Sequence, residues 1–196
     1  MRPIDAALLT KIAEPPAPLA SSLAPILATA LPKTSINTLN RVACFLGQGI
    51  YETLRLQRLE EDLSYSAPRI AAVWPRLAVR AGELAGNPEA LANAAYGAIN
   101  GNGGPSSGDG WLFHGRGFLM LTGRANYRLA GFDKTPDDVA TPEGAIGSAI
   151  AFWLARNCNA AADAMNVANV TRLVNGGLNG FQQRLDLTNL AKELLT

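Results

Sequence analysis

The stretch Phe45–Tyr65, F-L-G-Q-G-I-Y-E-T-L-R-L-Q-R-L-E-E-D-L-S-Y, begins as an amphipathic helix and then loses the helical pattern. It carries two acids nine positions apart, Glu52 and Glu61. Each residue of an α-helix turns the chain by about 100°, so nine residues turn it by about 180°. On one unbroken helix the two carboxylates would point to opposite sides. They can face one another only if the chain bends between them.

Upstream of the acids, Leu39, Val42, Ala43, Leu46 and Ile50 recur at helical spacing. They predict a helix over Leu39–Leu54 with one face in the core. Ser35 or Asn37 is the expected N-cap. Glu52 lies off the core stripe, on a face shared with Gln48 and Phe45. A carboxyl beside an aromatic ring and an amide has a physical reason for a raised pKa. Beyond Leu54 the chain turns charged and irregular, through Arg55, Arg58, Glu60, Glu61 and Asp62. From spacing alone each glutamate also fits a solvated surface acid, because such pairs are common.

Working outward, a length of 196 residues makes one compact domain the default, with the helices of residues 1–32 part of the same fold. The chain is 48% hydrophobic and 17% charged, against about 25% charged in typical domains. Material for a core is ample. The net charge is +1 and basic residues are scattered, which leaves no electrostatic footprint for nucleic acid. Cys44 and Cys158 match no metal spacing and read as buried thiols. A single histidine, His114, argues against His-based zinc or triad chemistry. No metal and no cofactor are implied. No apolar run reaches the roughly 18 residues of a membrane span. Residues 18–32 are moderately apolar, and Ala28-Thr29-Ala30 resembles a signal cleavage site. Yet Pro18, Pro25 and Pro32 interrupt the run, and Asp5 and Glu14 spoil a basic lead. No signal peptide is expected, so export would need another device.

Further helices are predicted over residues 4–13 and 19–31, from Ser66-Ala67-Pro68 to Trp74-Pro75, and over 90–98 after Asn87-Pro88-Glu89. Thr122 could cap a helix through Arg128. Thr141-Pro142-Glu143 opens a buried helix carrying Phe152 and Trp153. The last helix covers about 181–195. Residues 118–121 read as one strand of a small sheet, and 170–180 as a turn-rich segment. The Gly-rich loop over residues 100–110 lacks any phosphate-cradle pattern and reads as a mobile cleft rim. The class is mainly α.

Three motifs then converge in order: Y-E-T…E-E-D-L-S-Y-S-A, F-H-G-R-G-F-L-M-L-T-G-R-A-N-Y and V-N-G-G-L-N-G-F-Q-Q-R. Together, from about Leu31 to Arg184, they resemble glycoside hydrolase family 19, the chitinase-like enzymes that include phage endolysins. The resemblance implies a lysozyme-like, two-lobed α+β domain with a small β-sheet and a central cleft. Position by position, Glu52 matches the general acid and Glu61 the general base. Thr122 matches the hydroxyl residue that helps to hold the attacking water, and Asn126 an asparagine that contacts sugar or water. Asn175 and Arg184 match polar positions on the far side of the cleft. Gln48, Trp111 and Tyr127 complete the candidate substrate-binding set, although Trp111 also suits the core. Arg116, between two glycines, could pin the cleft by an ion pair. Glu60 and Asp62 are expected to be solvated, and His114 to lie at the surface or just behind the site.

The chain departs from the family pattern at three places. Tyr51 stands where a histidine usually precedes the acid, Leu54-Arg55 replaces Gly-Gly, and Met120 replaces a glutamine. The first two alter the chain path just after the acid, since losing Gly-Gly removes permissive backbone positions. The implied activity is inverting hydrolysis of β-1,4 links between amino sugars. Peptidoglycan is the expected substrate, because the chain shows neither a chitin-binding module nor a disulfide framework. Chitin oligomers are the alternative, and a glycan-binding module that has lost turnover is a further one. A monomer is expected, released to the periplasm or cell wall through a holin or a secretion system. Use as a secreted effector would imply an immunity protein in the producing cell.

Overall fold

A computed structural model describes residues 1–196. Twelve α-helices make up the chain. The first four are α1 (Ala6–Ala13), α2 (Ala20–Ala30), α3 (Leu39–Glu52) and α4 (Ala67–Val73). Then come α5 (Ala81–Leu84), α6 (Pro88–Tyr96), α7 (Asp109–Leu112) and α8 (Arg124–Leu129). The last four are α9 (Pro142–Ala155), α10 (Cys158–Asp163), α11 (Val167–Asn175) and α12 (Phe181–Leu195). No helix is long and apolar enough to cross a membrane.

The helix α3 is the axis of the larger core. Thr38, rather than Ser35 or Asn37, caps it by accepting from the Arg41 N–H. Every residue from Val42 to Ile50 is buried, so α3 is enclosed on all sides instead of presenting one stripe. It runs against α12, and the contact is close because position 47 is glycine. A Cβ there would lie 2.2 Å from Thr188 Oγ1 and 2.9 Å from the Thr188 backbone. On another side, Phe45 meets Phe118 at 5.5 Å and Trp153 at 5.4 Å between ring centroids. Phe152 and Trp153 belong to this core. Cys44 and Cys158 are buried free thiols, and burial pushes both pKa values up to about 12.

A second hydrophobic cluster gathers Leu63, ahead of α4, with Ile70, Leu77, Leu84 and Leu91 from the stretch α4 to α6. Leu59 belongs to the larger cluster and Leu63 to the smaller. Glu61 therefore sits where the chain passes from one to the other.

The small sheet expected around residues 118–121 is absent. Only two isolated antiparallel bridges form, Glu60 with Arg116 and Arg116 with Leu121. Gly117 and Met120 both adopt left-handed backbone, φ 83° and 47°, which turns the segment back before a strand can extend. Helix α11 occupies much of the segment expected to be turns. Asn166 caps it and Gly176 ends it in left-handed conformation.

The bend between the two glutamates is a left-handed turn. Helix α3 stops at Glu52, two residues before the expected end. Leu54, Arg55 and Leu56 then take φ of 50°, 59° and 60°. Three consecutive side-chain-bearing residues in this region are costly, about 1–2 kcal/mol each. Thr53 ties the turn locally: its hydroxyl donates to the Gly49 carbonyl at 2.8 Å and accepts from the Leu56 N–H at 3.2 Å. Leu54 is 53% exposed, so little packing is lost if its side chain is removed. Leu54→Gly is expected to stabilise the protein by about 1 kcal/mol through relief of the left-handed backbone, read as a raised denaturation midpoint.

Candidate active site

Glu52 is the last residue of α3, one turn beyond Gln48 on the same face. Both carry their side chains to Arg184 of α12, which is 1% exposed. Its Nη2 donates to Glu52 Oε1 at 2.6 Å and its Nη1 to Gln48 Oε1 at 2.7 Å. Its Nε donates to the Asn179 carbonyl at 3.1 Å, and its guanidinium lies over the Tyr51 ring at 4.1 Å. Gln48 Nε2 in turn donates to Thr171 Oγ1 of α11 at 3.2 Å. One cation is thus shared among a carboxylate, an amide, a carbonyl and an aromatic face. Burial pushes the Glu52 carboxyl above its usual range, and the Arg184 charge and hydrogen bond only partly oppose it.

Glu61 has a different environment. Its N–H donates to the Gly115 carbonyl at 2.9 Å. Its Oε1 accepts from the Gly115 N–H at 2.5 Å, and its Oε2 from the Tyr96 hydroxyl at 2.7 Å. Burial pushes the Tyr96 phenol up, and Glu61 pushes it further, so Tyr96 keeps its proton and remains a donor. Glycine at position 115 lets the Glu61 carboxylate come this close to the backbone. A Cβ there would lie 3.0 Å from Glu61 Oε1 and 3.3 Å from Thr122 Oγ1. The Glu61 carboxylate and the Thr122 hydroxyl thus approach one point. Asn126 lies beside them, its Nδ2 donating to the Thr122 carbonyl at 2.8 Å.

Several expected contact residues lie inside the protein. Gln48, Tyr127 and Arg184 are all buried and bond protein groups instead of lining an open surface. The Tyr127 hydroxyl donates to the His114 carbonyl at 2.7 Å. Thr122 does not cap α8; Gly123 occupies that position, and the Thr122 hydroxyl donates to the Met120 carbonyl at 3.1 Å. Asn175 ends α11 half-buried, with its Nδ2 lacking a hydrogen-bond partner. Half-buried Trp111 stacks on His114 at 4.4 Å.

A charged network backs the Glu61 segment. His114 is buried, not at the surface, and its Nε2 lies 2.8 Å from Glu60 Oε1. Arg116 Nε donates to the same oxygen at 2.7 Å, and Arg116 Nη2 pairs with Asp137 at 3.3 Å. Glu60 is therefore not simply solvated. Burial opposes its ionisation, but Arg116 and His114 hold its carboxyl below the usual range.

The Gly-rich loop is bonded to the elements beside it. Asp109 accepts from the Gly103 N–H at 2.8 Å and pairs with Arg124. Asn102 accepts from the Arg124 N–H at 2.7 Å and donates to the Tyr96 carbonyl at 2.9 Å. Asp109, Arg124 and Tyr96 escaped sequence reasoning. Tyr96 lies four positions before the loop, and nothing in the sequence links it to Glu61, 35 positions away. No group of three or more His, Cys, Asp or Glu side chains gathers to hold a metal ion. An apolar cavity of about 290 Å³ among Met1, Ile4, Leu31, Ile36 and Val42 contains no carboxylate.

The helical fold is that of the family 19 chitinases. Chitinase C from Streptomyces griseus superposes with a TM-score of 0.63 at 18% identity, over 98% of this chain and 76% of that one. Another bacterial family 19 chitinase gives a TM-score of 0.60 at 20% identity, over 99% of this chain and 95% of that one. No protein-family model matches the chain. A glycosyl hydrolase family 19 domain-containing protein of Haemophilus influenzae is 35% identical over 153 residues, covering 74% of this chain and 75% of the relative. At that identity and coverage, the chain belongs to glycosyl hydrolase family 19.

Two outcomes follow from this geometry. Gly115→Ala is expected to displace the Glu61 carboxylate and lower kcat on a glycan substrate about tenfold with the fold intact by circular dichroism. Arg184→Met strands the Glu52 carboxylate and Gln48, and is expected to cost about 3–5 kcal/mol in chemical denaturation.

Proposed function

We propose that this protein is an inverting glycosidase that cuts β-1,4 links between amino sugars of peptidoglycan, in a groove between the two hydrophobic clusters. Glu52 gives its proton to the leaving oxygen. Glu61 takes a proton from the attacking water, and Thr122 helps to hold that water. The observation that carries this reading is the contrast between the carboxyls. Glu52 is half-buried and desolvation holds it toward its protonated form, whereas Glu61 accepts two hydrogen bonds with a hydroxyl close by. An inverting site needs its carboxyls about 6.5–9.5 Å apart to admit water. The left-handed turn supplies the change of direction that such a pair requires. Departures at Tyr51, Leu54-Arg55 and Met120 support a glycan other than plain chitin. The enzyme would act in the cell wall after release from the cytoplasm.

A second reading, hydrolysis of chitin oligomers, is favoured by the chitinases that share the fold. Mass spectrometry of parallel digests of purified peptidoglycan and chitohexaose separates the two. Cleavage of peptidoglycan between amino sugars is expected, and cleavage of chitohexaose alone would replace the first reading with the second. Glu52→Gln is expected to lower kcat by about 10²–10⁴-fold. Fresh products should appear as the α-anomer by NMR, and the β-anomer would exclude inversion. Because Glu52 must carry its proton, kcat should fall as pH rises through its elevated pKa.

A further inference from the structure

The path from Glu52 to Glu61 is anchored at both ends. Helix α3 is enclosed by the core, and its last side chain is fixed to Arg184. At the other end Gly117 N–H donates to the Leu59 carbonyl at 2.7 Å, and Glu61 N–H to the Gly115 carbonyl at 2.9 Å. Between the anchors lies the left-handed turn, where Leu54, Arg55 and Leu56 occupy backbone that glycine adopts freely and L side chains resist. Local preference works against this turn, so contacts from elsewhere must hold it.

They come from the link between α1 and α2. Arg55 Nη1 donates to the Ala13 carbonyl at 3.1 Å and pairs with Glu14 Oε2 at 3.0 Å. Leu19 N–H donates to the Leu56 carbonyl at 3.2 Å. Gln57 Nε2 donates to the Pro16 carbonyl. Residues 55, 56 and 57 are thus each clasped by the segment 13–19. The exposed Arg55–Glu14 pair alone would contribute little. The three backbone groups bonded beside it make the contact a fitted one, and Leu56 anchors it in the larger core.

We infer that the α1–α2 link is a positioning element for the two carboxylates: by clasping residues 55–57 it holds a disfavoured turn and so sets Glu52 relative to Glu61. This rests on the catalytic roles proposed for the two glutamates. Residues 13–19 touch neither carboxylate and act through the turn. Where glycines would let the backbone hold its own bend, this chain uses a distant segment.

The double variant Arg55→Ala/Gln57→Ala removes the side-chain clasps and leaves both glutamates and Arg184 in place. Its kcat on the wild-type enzyme's glycan is expected to fall about tenfold, below the ~100-fold that a 1 Å misplacement can cost. KM should stay within about twofold, because substrate contacts are unchanged. Adding Leu54→Gly should recover most of the loss. In ¹³C NMR titration, the Glu52 midpoint of the double variant should fall toward the ordinary carboxylate range as water reaches the loosened helix end, and Leu54→Gly should raise it again. Should the double variant fail to fold, Arg55→Gly and Arg55→Ala are compared instead, and glycine is expected to lie nearer wild type in both readouts. A folded double variant with wild-type kcat and Glu52 titration would overturn the inference. So would a loss that Leu54→Gly does not recover, or Arg55→Ala lying nearer wild type than Arg55→Gly. If wild type cleaves no glycan, the proposed function fails, and the Glu52 titration alone decides the positioning role.

Discussion

Everything about the site follows from one geometric constraint: a nine-residue step along a continuous helix points two side chains in opposite directions. The chain meets the constraint by stopping α3 at Glu52 and reversing the hand of the next residues. This is possible because α3 is not free to extend or rotate. Gly47 locks it against Thr188, and Phe45 locks it against Phe118 and Trp153. With the helix fixed, the direction in which Glu52 leaves it is fixed as well. The turn then delivers Leu59 and Glu61 to Gly117 and Gly115, where short bridges stand in for a sheet.

The electrostatic surroundings of the two carboxyls are asymmetric. Arg184 is nearly sealed from water, and its charge is divided among four partners instead of being spent on Glu52 alone. A carboxyl facing a divided cation in a dry site keeps its proton more readily than one facing a dedicated ion pair. Around Glu61 the donors are a backbone amide and a phenol, both neutral, and the nearby cation Arg116 is engaged by Glu60 and Asp137. The network of His114, Glu60 and Arg116 therefore braces the segment without placing a full positive charge on Glu61 itself.

Much of the fold was legible because local signals and tertiary structure agree. Thr141-Pro142 opens α9, Asn87-Pro88 opens α6, and the last helix runs through Leu187 and Ala191 as its spacing predicts. The failures have physical causes. Residues 118–121 looked like a strand, but Leu121 bridges only Arg116, five positions back, and left-handed Gly117 and Met120 turn the segment before a strand can extend. The Asn-Gly-Gly signal drew attention away from α11, whose N-cap Asn166 lies upstream. Gln48, Tyr127 and Arg184 belong to the candidate substrate-binding set, yet each is buried with a hydrogen-bond partner, because tertiary contacts that a motif does not display decide where such side chains lie. Tyr96 was invisible for the opposite reason, since only the folded chain brings it to Glu61.

The two cysteines carry a consequence of a different kind. Each lies fully inside the larger core, and burial lifts both thiols to a pKa of about 12. A thiol raised this way stays protonated at neutral pH, and the thiolate is the reactive form. Alkylating reagents and mild oxidants thus meet no accessible sulfur while α3 and α10 remain packed. Reaction of Cys44 and Cys158 with a thiol reagent thus becomes a built-in clock for opening of the core, readable without an engineered label.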